Sequence, residues 1–322
     1  LAPIIVTVGS GKGGVGKTTL AANLGALLAS RGKRVCLVDA DLGGANLHHF
    51  VGIRAPKVGL QDFLQGNLNS LADVALETST PNLYLVGGAG DIVELANPKF
   101  TQKGKILRGI EKLNCHYVLV DLGAGSGNNV VDFFAAFQNG IVVCDSLPTS
   151  IENAYAFLKN GIIRGVHHLF AGQRDIRRQL RRLSNSRGAR GCATMKEFLR
   201  EFTREYPREA GLIRTWLRER RIALAVTMVK NRGDVAVGNR FVEIIDKYLS
   251  VRPTYIGYVI DSPYVRSAVR ASCPAALMPE AGELRTCFNS LADNLLALTE
   301  ERTYDGNTGT LGTGRTSVRG AV

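Results

Sequence analysis

Gly11-Lys12-Gly13-Gly14-Val15-Gly16-Lys17-Thr18-Thr19 decides the fold. The apolar run before it, Ile4-Ile5-Val6-Thr7-Val8, reads as a buried strand, and residues 20–30 after it carry apolar side chains at helical spacing. Strand, glycine loop and helix in that order are what a phosphate-binding loop requires. The spacing from Gly11 to Gly16-Lys17-Thr18 fits G-x-x-x-x-G-K-[ST] in full. Glycines serve because successive backbone N–H groups must curl around phosphate oxygens, with positive φ angles and no room for a Cβ. The positive end of the following helix then faces the anion. On this reading Gly11, Gly13, Gly14, Val15 and Gly16 line the phosphates of a nucleotide. Lys17 reaches the β- and γ-phosphates, the Thr18 hydroxyl reaches Mg²⁺, and Thr19 lies near the α-phosphate.

Two other strands end in carboxylates. Residues 34–38 run into Asp39-Ala40-Asp41-Leu42-Gly43-Gly44-Ala45-Asn46, and Tyr117-Val118-Leu119-Val120 delivers Asp121 ahead of Leu122-Gly123-Ala124-Gly125. A carboxylate at the carboxyl end of a parallel strand, beside the glycine loop, sits where ligands bind in open α/β sheets. Asp121 has the Walker B arrangement: its carboxylate accepts hydrogen bonds from Mg²⁺-bound water, and the glycines after it leave backbone N–H groups near the γ-phosphate. Asp39 and Asp41 belong to the same site or cap a turn.

Lys12 is more than an ordinary phosphate loop needs. With it, the run at 12–18 resembles the deviant Walker A loop, K-G-G-V-G-K-T, of the MinD/ParA family of dimerising ATPases. Residues 39–46 resemble that family's D-x-D-x-G-x-x-N and residues 121–125 its D-x-x-A-G. Pro148-Thr149-Ser150-Ile151-Glu152-Asn153-Ala154-Tyr155 is similar to the P-x-S-x-x-[DN]-A-Y of the flagellar-number regulator FlhG, which places the chain closest to the MinD/FlhG branch. The resemblance covers about 1–163 and 222–300. It implies a doubly wound, mainly parallel α/β sheet of seven or eight strands, of the SIMIBI class of P-loop NTPases, that binds ATP/ADP and Mg²⁺. It also implies a homodimer formed with ATP, in which Lys12 reaches the partner's nucleotide, Asp41 orients the attacking water and Asp39 helps hold the Mg²⁺ shell. Hydrolysis is expected to be slow until a protein activator or cargo stimulates it. The function implied is spatial or assembly regulation, such as placing flagella or another polar structure. Late in the chain, Asn231 reads adenine or is a turn residue. Pro263, in a segment similar to G-x-I-x-x-D-x-x-V, lines the base.

Residues 164–221 do not belong to that pattern. They read as a helical insertion, with helices at 175–183, 195–206 and 212–221 and a glycine-containing turn at 187–191. The segment holds 16 basic and 6 acidic residues, a net of +10 out of the chain's +12. Its arginine-rich face suits nucleic-acid phosphate, anionic lipid, or a solvated helix face docked on an acidic partner or on the sheet. Nucleic acid at this face gives a second function, that of a ParA-like DNA-binding partition or cargo-positioning ATPase.

Elsewhere the chain reads as short helices within 58–77, a strand at 83–86, and helices at 97–113 and 128–139. A strand follows at 141–145, then a turn fixed by Pro148 and a helix capped by Ser150 that runs to about residue 163. A strand at 222–229, a helix at 241–249, a strand at 254–259, and helices at 265–271 and 280–300 complete the domain. Residues 303–322 are expected to be disordered. They lack the amphipathic helix with which MinD and FlhG reach membranes, so no membrane anchor is expected. Since the chain begins at the first strand, neither is the GTPase partner of FlhG's N-terminal extension. His48 and His49 have no third ligand at metal spacing. No apolar run approaches the ~20 residues of a membrane span, and the six cysteines contain no C-x-x-C pair. A cytoplasmic location with reduced, buried cysteines is expected. The missing pairs argue against iron–sulfur carrier ATPases and tail-anchored-protein targeting ATPases.

Overall fold

The three strands that end in the loop and the carboxylates lie side by side at the centre of one sheet. The computed structural model describes residues 2–88, 98–184 and 194–300. The expected tail at 303–322, the turn at 187–191 and Cys192 lie outside the described residues. Eight strands are present: β1 (Ile4–Ser10), β2 (Val35–Ala40), β3 (Ala75–Glu77), β4 (Leu83–Val86), β5 (Tyr117–Ala124), β6 (Asn139–Asp145), β7 (Arg221–Val229) and β8 (Thr254–Ile260). Their order is β3-β4-β2-β5-β1-β6-β7-β8. Every pairing is parallel except β3 with β4. From β1 the chain goes to one side of the sheet and later returns to the other. The strand order therefore reverses beside β1, which opens a crevice at the carboxyl ends there.

Adjacent residues along the central strands are apolar toward both faces, as a parallel sheet covered on both sides demands. Tyr117 and Leu119 of β5 pack into one core, and Val118 and Val120 into the other. The first core is closed by α1 (Lys17–Ser30), α10 (Pro263–Arg270) and α11 (Gly282–Glu300). The second lies under α2 (Leu60–Gln65), α3 (Phe100–Glu111), α4 (Asn128–Ala136), α5 (Pro148–Leu169), α6 (Arg174–Ser184), α7 (Met195–Glu205), α8 (Pro207–Glu219) and α9 (Arg232–Leu249). Ile176, Leu180, Phe198, Phe202, Ile213 and Leu217 of α6–α8 join this second core, so these helices pack on the domain. No described helix is long and apolar enough to cross a membrane. Cys36, Cys144 and Cys287 are buried, Cys115 and Cys273 half-buried, and all five are free thiols.

Several local expectations fail: α4 ends at Ala136 rather than 139, and α8 begins at Pro207 rather than 212. Helix α5 continues to Leu169 past the expected end near 163, burying Val166 one turn after Ile162, and Gly165 leaves space for α8 to cross: a Cβ there would lie 2.1 Å from the Trp216 ring. Ser150 does not cap α5. Pro148 starts the helix, and the buried Ser150 hydroxyl accepts a hydrogen bond from the Asp145 amide at 3.1 Å, tying α5 back to β6. Residues 75–77 are a short antiparallel strand beside β4. Helix α9 begins at Arg232, nine residues before the expected 241.

Candidate functional site

The glycine loop is held from three sides. The Ser10 hydroxyl donates to the Lys12 carbonyl at 2.7 Å, and the Gly125 amide donates to the Ser10 carbonyl at 3.0 Å, joining the loop to the segment after Asp121. On the flank, α5 presses so close that a Cβ on Gly11 would lie 1.9 Å from the Asn153 carbonyl oxygen. From below, the buried Thr227 hydroxyl of β7 donates to the Val15 carbonyl at 2.7 Å and also reaches the Cys144 carbonyl at 3.2 Å. Sequence reading missed Thr227, whose only signal is a lone hydroxyl in the apolar run at 222–229.

Gly14 and Gly16 take left-handed φ angles of 78° and 85°, so the amides turn inward as a phosphate cradle needs. Gly16 is also the N-cap of α1, where no side chain caps the helix and no acidic residue stands in the first turn. The leading N–H groups of α1 therefore have no side-chain acceptor and face an anion site.

Lys17 is buried beneath the loop. Burial lowers its pKa, and the nearby Asp121 and Asp41 carboxylates oppose that shift. Asp39 and Asp121 are register partners on the adjacent strands β2 and β5. Asp39 accepts hydrogen bonds from the Asp41 amide at 3.2 Å and the Leu47 amide at 3.0 Å, and so folds the segment between them into a turn. Burial raises its pKa to about 6 despite those two donors. The Asp41 carboxylate lies between the two glycine segments: a Cβ on Gly123 would sit 3.2 Å from its Oδ1, and one on Gly44 3.7 Å away. Asp121 is fully buried, and burial together with the Asp39 charge pushes its pKa to about 8, with a hydrogen bond from Thr18 pulling the other way.

Asp39 organises the turn, and the turn carries Asp41 close to Lys17 and Asp121. Lys12 is half-buried at the loop. Asn231 and Pro263 stand on the rim, at the starts of α9 and α10. The Asn231 side chain accepts from the Gly233 and Asp234 amides at 2.8 and 3.2 Å and donates to Asp234 Oδ2 at 3.1 Å. In this structure it is a helix cap. Met228 (φ 56°) lies just after Thr227 in a register shift between the Val226–Tyr258 and Val229–Ile260 pairs of β7 and β8.

Asp121 Oδ1 is buried without a hydrogen-bond partner among the described residues. An orphaned carboxylate oxygen is costly unless something positive or protonated takes it. Among the described residues no group of three or more His, Cys, Asp or Glu side chains is placed to hold a metal. One carboxylate and the Thr18 hydroxyl suit Mg²⁺, which completes its shell with water and phosphate oxygens.

A nucleotide's phosphates would take the loop amides and Lys17 while a divalent cation took Asp121, and no single simpler ligand satisfies both. The chain falls in the class of phosphate-loop nucleotide-binding proteins. Comparison makes the class particular: the model of the CobQ/CobB/MinD/ParA nucleotide binding domain matches residues 6–265, and the chain belongs to that family. Antiactivator FleN of Pseudomonas aeruginosa is 38% identical over 158 residues, covering 48% of this chain and 55% of FleN. Flagellum site-determining protein YlxH of Helicobacter pylori is 32% identical over 161 residues, covering 48% of this chain and 52% of YlxH. The chain thus spans about half the length of these curated relatives. The septum site-determining protein MinD of Pyrococcus horikoshii, solved with Mg-ADP, has the same fold, with a TM-score of 0.62 at 19% identity over 95% of this chain and 99% of that one.

Proposed function

We propose that this chain is a Mg²⁺-dependent ATPase that works as a dimerisation switch and regulates the position or assembly of a polar structure such as the flagellum. The observation that carries this reading is the convergence of Lys17, Asp41 and the orphaned Asp121 on one face of the glycine loop. Lys17 and the loop amides neutralise the β- and γ-phosphates, where charge develops as the terminal phosphoryl group leaves. Asp121 and the Thr18 hydroxyl hold Mg²⁺, with Asp39 behind them, and the cation supplies charge neutralisation across the phosphates. Asp41, placed between the two glycine segments, orients the attacking water. Lys12 completes the site of a second copy, so ATP favours the dimer over the monomer. Asn231 reads adenine only if it gives up its cap, and Pro263 borders the base. The names FleN and YlxH support the regulatory class, and the site chemistry suits the cytoplasm, where ATP and Mg²⁺ are found.

A second reading rests on a separate observation. Arg174, Arg177, Arg178 and Arg181 are exposed along α6 at i, i+3, i+4 and i+7, with Ile176 and Leu180 buried opposite. Such a stripe suits phosphate, as in an ATPase that positions cargo on DNA. ATP-dependent retention of the protein on duplex DNA that fades with salt would favour this reading over the first.

Phosphate release from ATP tests the activity. The wild type is expected to hydrolyse ATP only with Mg²⁺, and Lys17→Ala and Asp41→Ala are each expected to lose about a hundredfold. A wild type that neither binds nucleotide by calorimetry nor hydrolyses ATP would overturn the proposal.

A further inference from the structure

At the other end of the molecule, α7 and α8 pack against each other and leave an open cleft of about 870 Å³. Two rows of cations line it. Lys196 and Arg200 are one helical turn apart on α7, and Arg214 and Arg218 one turn apart on α8. Between the rows, Leu199 and Leu217 form an apolar floor. One carboxylate, Glu197, also reaches the lining. None of the four cations forms an ion pair with a described residue, whereas Arg182 on neighbouring α6 is paired with Glu201 at 2.5 Å. Like charges at i, i+4 cost a helix a few tenths of a kcal/mol per pair. Here two such pairs flank one cleft, with Arg214 also donating to the Thr203 hydroxyl of α7 at 2.7 Å.

We propose that this cleft docks an acidic amphipathic helix of a protein partner. Carboxylates on its two flanks would meet the two cation rows, and its apolar seam would lie on Leu199 and Leu217. The dimensions agree. A helix about 10 Å across with a 5.4 Å pitch fills on the order of 400 Å³ per turn, so the cleft holds about two turns. Carboxylates at i, i+4 repeat every ~6 Å, the spacing of the cations on α7 and α8. The mode is that of an amphipathic helix laid into a groove. Nucleic acid fits less well. Single strands are held by aromatic stacking platforms, and the lining has none. A membrane surface is flat and cannot reach a concave floor.

The position adds a consequence. Helix α8 leads into β7 at Arg221, and Ser250, at the end of α9, borders the cleft. Both lie at the amino edge of the parallel sheet, opposite the glycine loop. A partner held here leaves the loop and Lys12 uncovered, so docking needs neither nucleotide nor dimer. The proposal stands independently of the ATPase reading.

The test uses the whole chain and a fluorescent helical peptide with Glu at i, i+4 on both flanks and Leu along the seam, read by anisotropy. Saturable binding is expected. It should weaken about tenfold or more for Lys196→Glu/Arg200→Glu and for Arg200→Gln/Arg218→Gln, and by a similar factor when the peptide's Leu residues become Ser. Arg177→Glu/Arg178→Glu on α6 should leave it within about twofold. Thermal melting of the milder Gln variant separates lost docking from lost folding. No binding to the wild type, equal binding of the Leu and Ser peptides, or equal loss in the α6 variant would each overturn the proposal. So would a short DNA duplex or phosphatidylserine vesicles held through these four cations in place of the peptide.

Discussion

Asp39 and Asp121 stand directly opposite each other on neighbouring parallel strands, two buried carboxylates at one level of the sheet. Asp39 is satisfied by backbone donors, whereas Asp121 keeps one oxygen without a partner. The arrangement is costly alone and becomes favourable when a cation arrives. Asp121→Asn is therefore expected to stabilise the metal-free protein by on the order of 1 kcal/mol and to remove the effect of Mg²⁺ on nucleotide affinity. Melting curves with and without Mg²⁺, with titration calorimetry, check both halves. A destabilised Asn variant that retains the Mg²⁺ effect would contradict the assignment.

Thr227 supports the loop through the Val15 carbonyl. Thr227→Val keeps the shape and removes the donor, so the buried carbonyl loses a hydrogen bond worth about 1–2 kcal/mol. Nucleotide affinity should fall about five- to thirtyfold with far-UV circular dichroism unchanged, and Thr227→Ser should recover most of it.

Gly11 has no space for a side chain beside the Asn153 carbonyl. Gly11→Ala must push the loop and α5 apart, at a cost of about 1–3 kcal/mol. Gly172 has open space around it among the described residues. Gly172→Ala should change stability and affinity little, which makes it the control in a denaturant series.

Asp132 joins three helices away from the site. It pairs with Lys103 of α3, with Arg164 of α5 at 2.5 Å, and with His168 at 3.6 Å. Burial alone would raise its pKa, but hydrogen bonds from Arg164 and Lys103 prevail and hold it below the usual carboxylate range. A carboxylate depressed in the folded state binds fewer protons there than in the unfolded chain. Its stabilisation is present above the ordinary carboxylate pKa and is lost as pH falls through the depressed one. Asp132→Asn should cost about 3 kcal/mol near neutral pH, chiefly by leaving the largely buried Lys103 unpaired, and should flatten the loss of stability in acid. Urea unfolding at neutral and acid pH measures both.

Much of the site was legible because the chemistry is local. The glycine loop, Lys17 and Thr18 are consecutive, and Asp39 and Asp121 each end an apolar strand whose burial on both faces fixes it near the sheet's centre. What escaped reading depends on distant packing. The apolar spacing of Leu158, Ile162, Val166 and Phe170 carries α5 past 163, a signal that Gly165 obscures; the reason for that glycine is Trp216, packed against it from another helix. Ser150 has the composition of a cap, yet its hydroxyl serves the end of β6 because Pro148 starts the helix two residues earlier. Residues 75–77 are a strand only because β4 offers an edge. Asn231 carries an amide that suits either expected role, and in this structure it caps α9.

The switch is tested most directly by molar mass in solution, measured by size exclusion with light scattering on Asp41→Ala, the variant that should bind ATP without consuming it. With ATP and Mg²⁺ the mass should double relative to the ADP form, and adding Lys12→Ala should return it to that of the monomer. An ATP-loaded Asp41→Ala protein that stays monomeric at high concentration, or a dimer unaffected by Lys12→Ala, would contradict the switch.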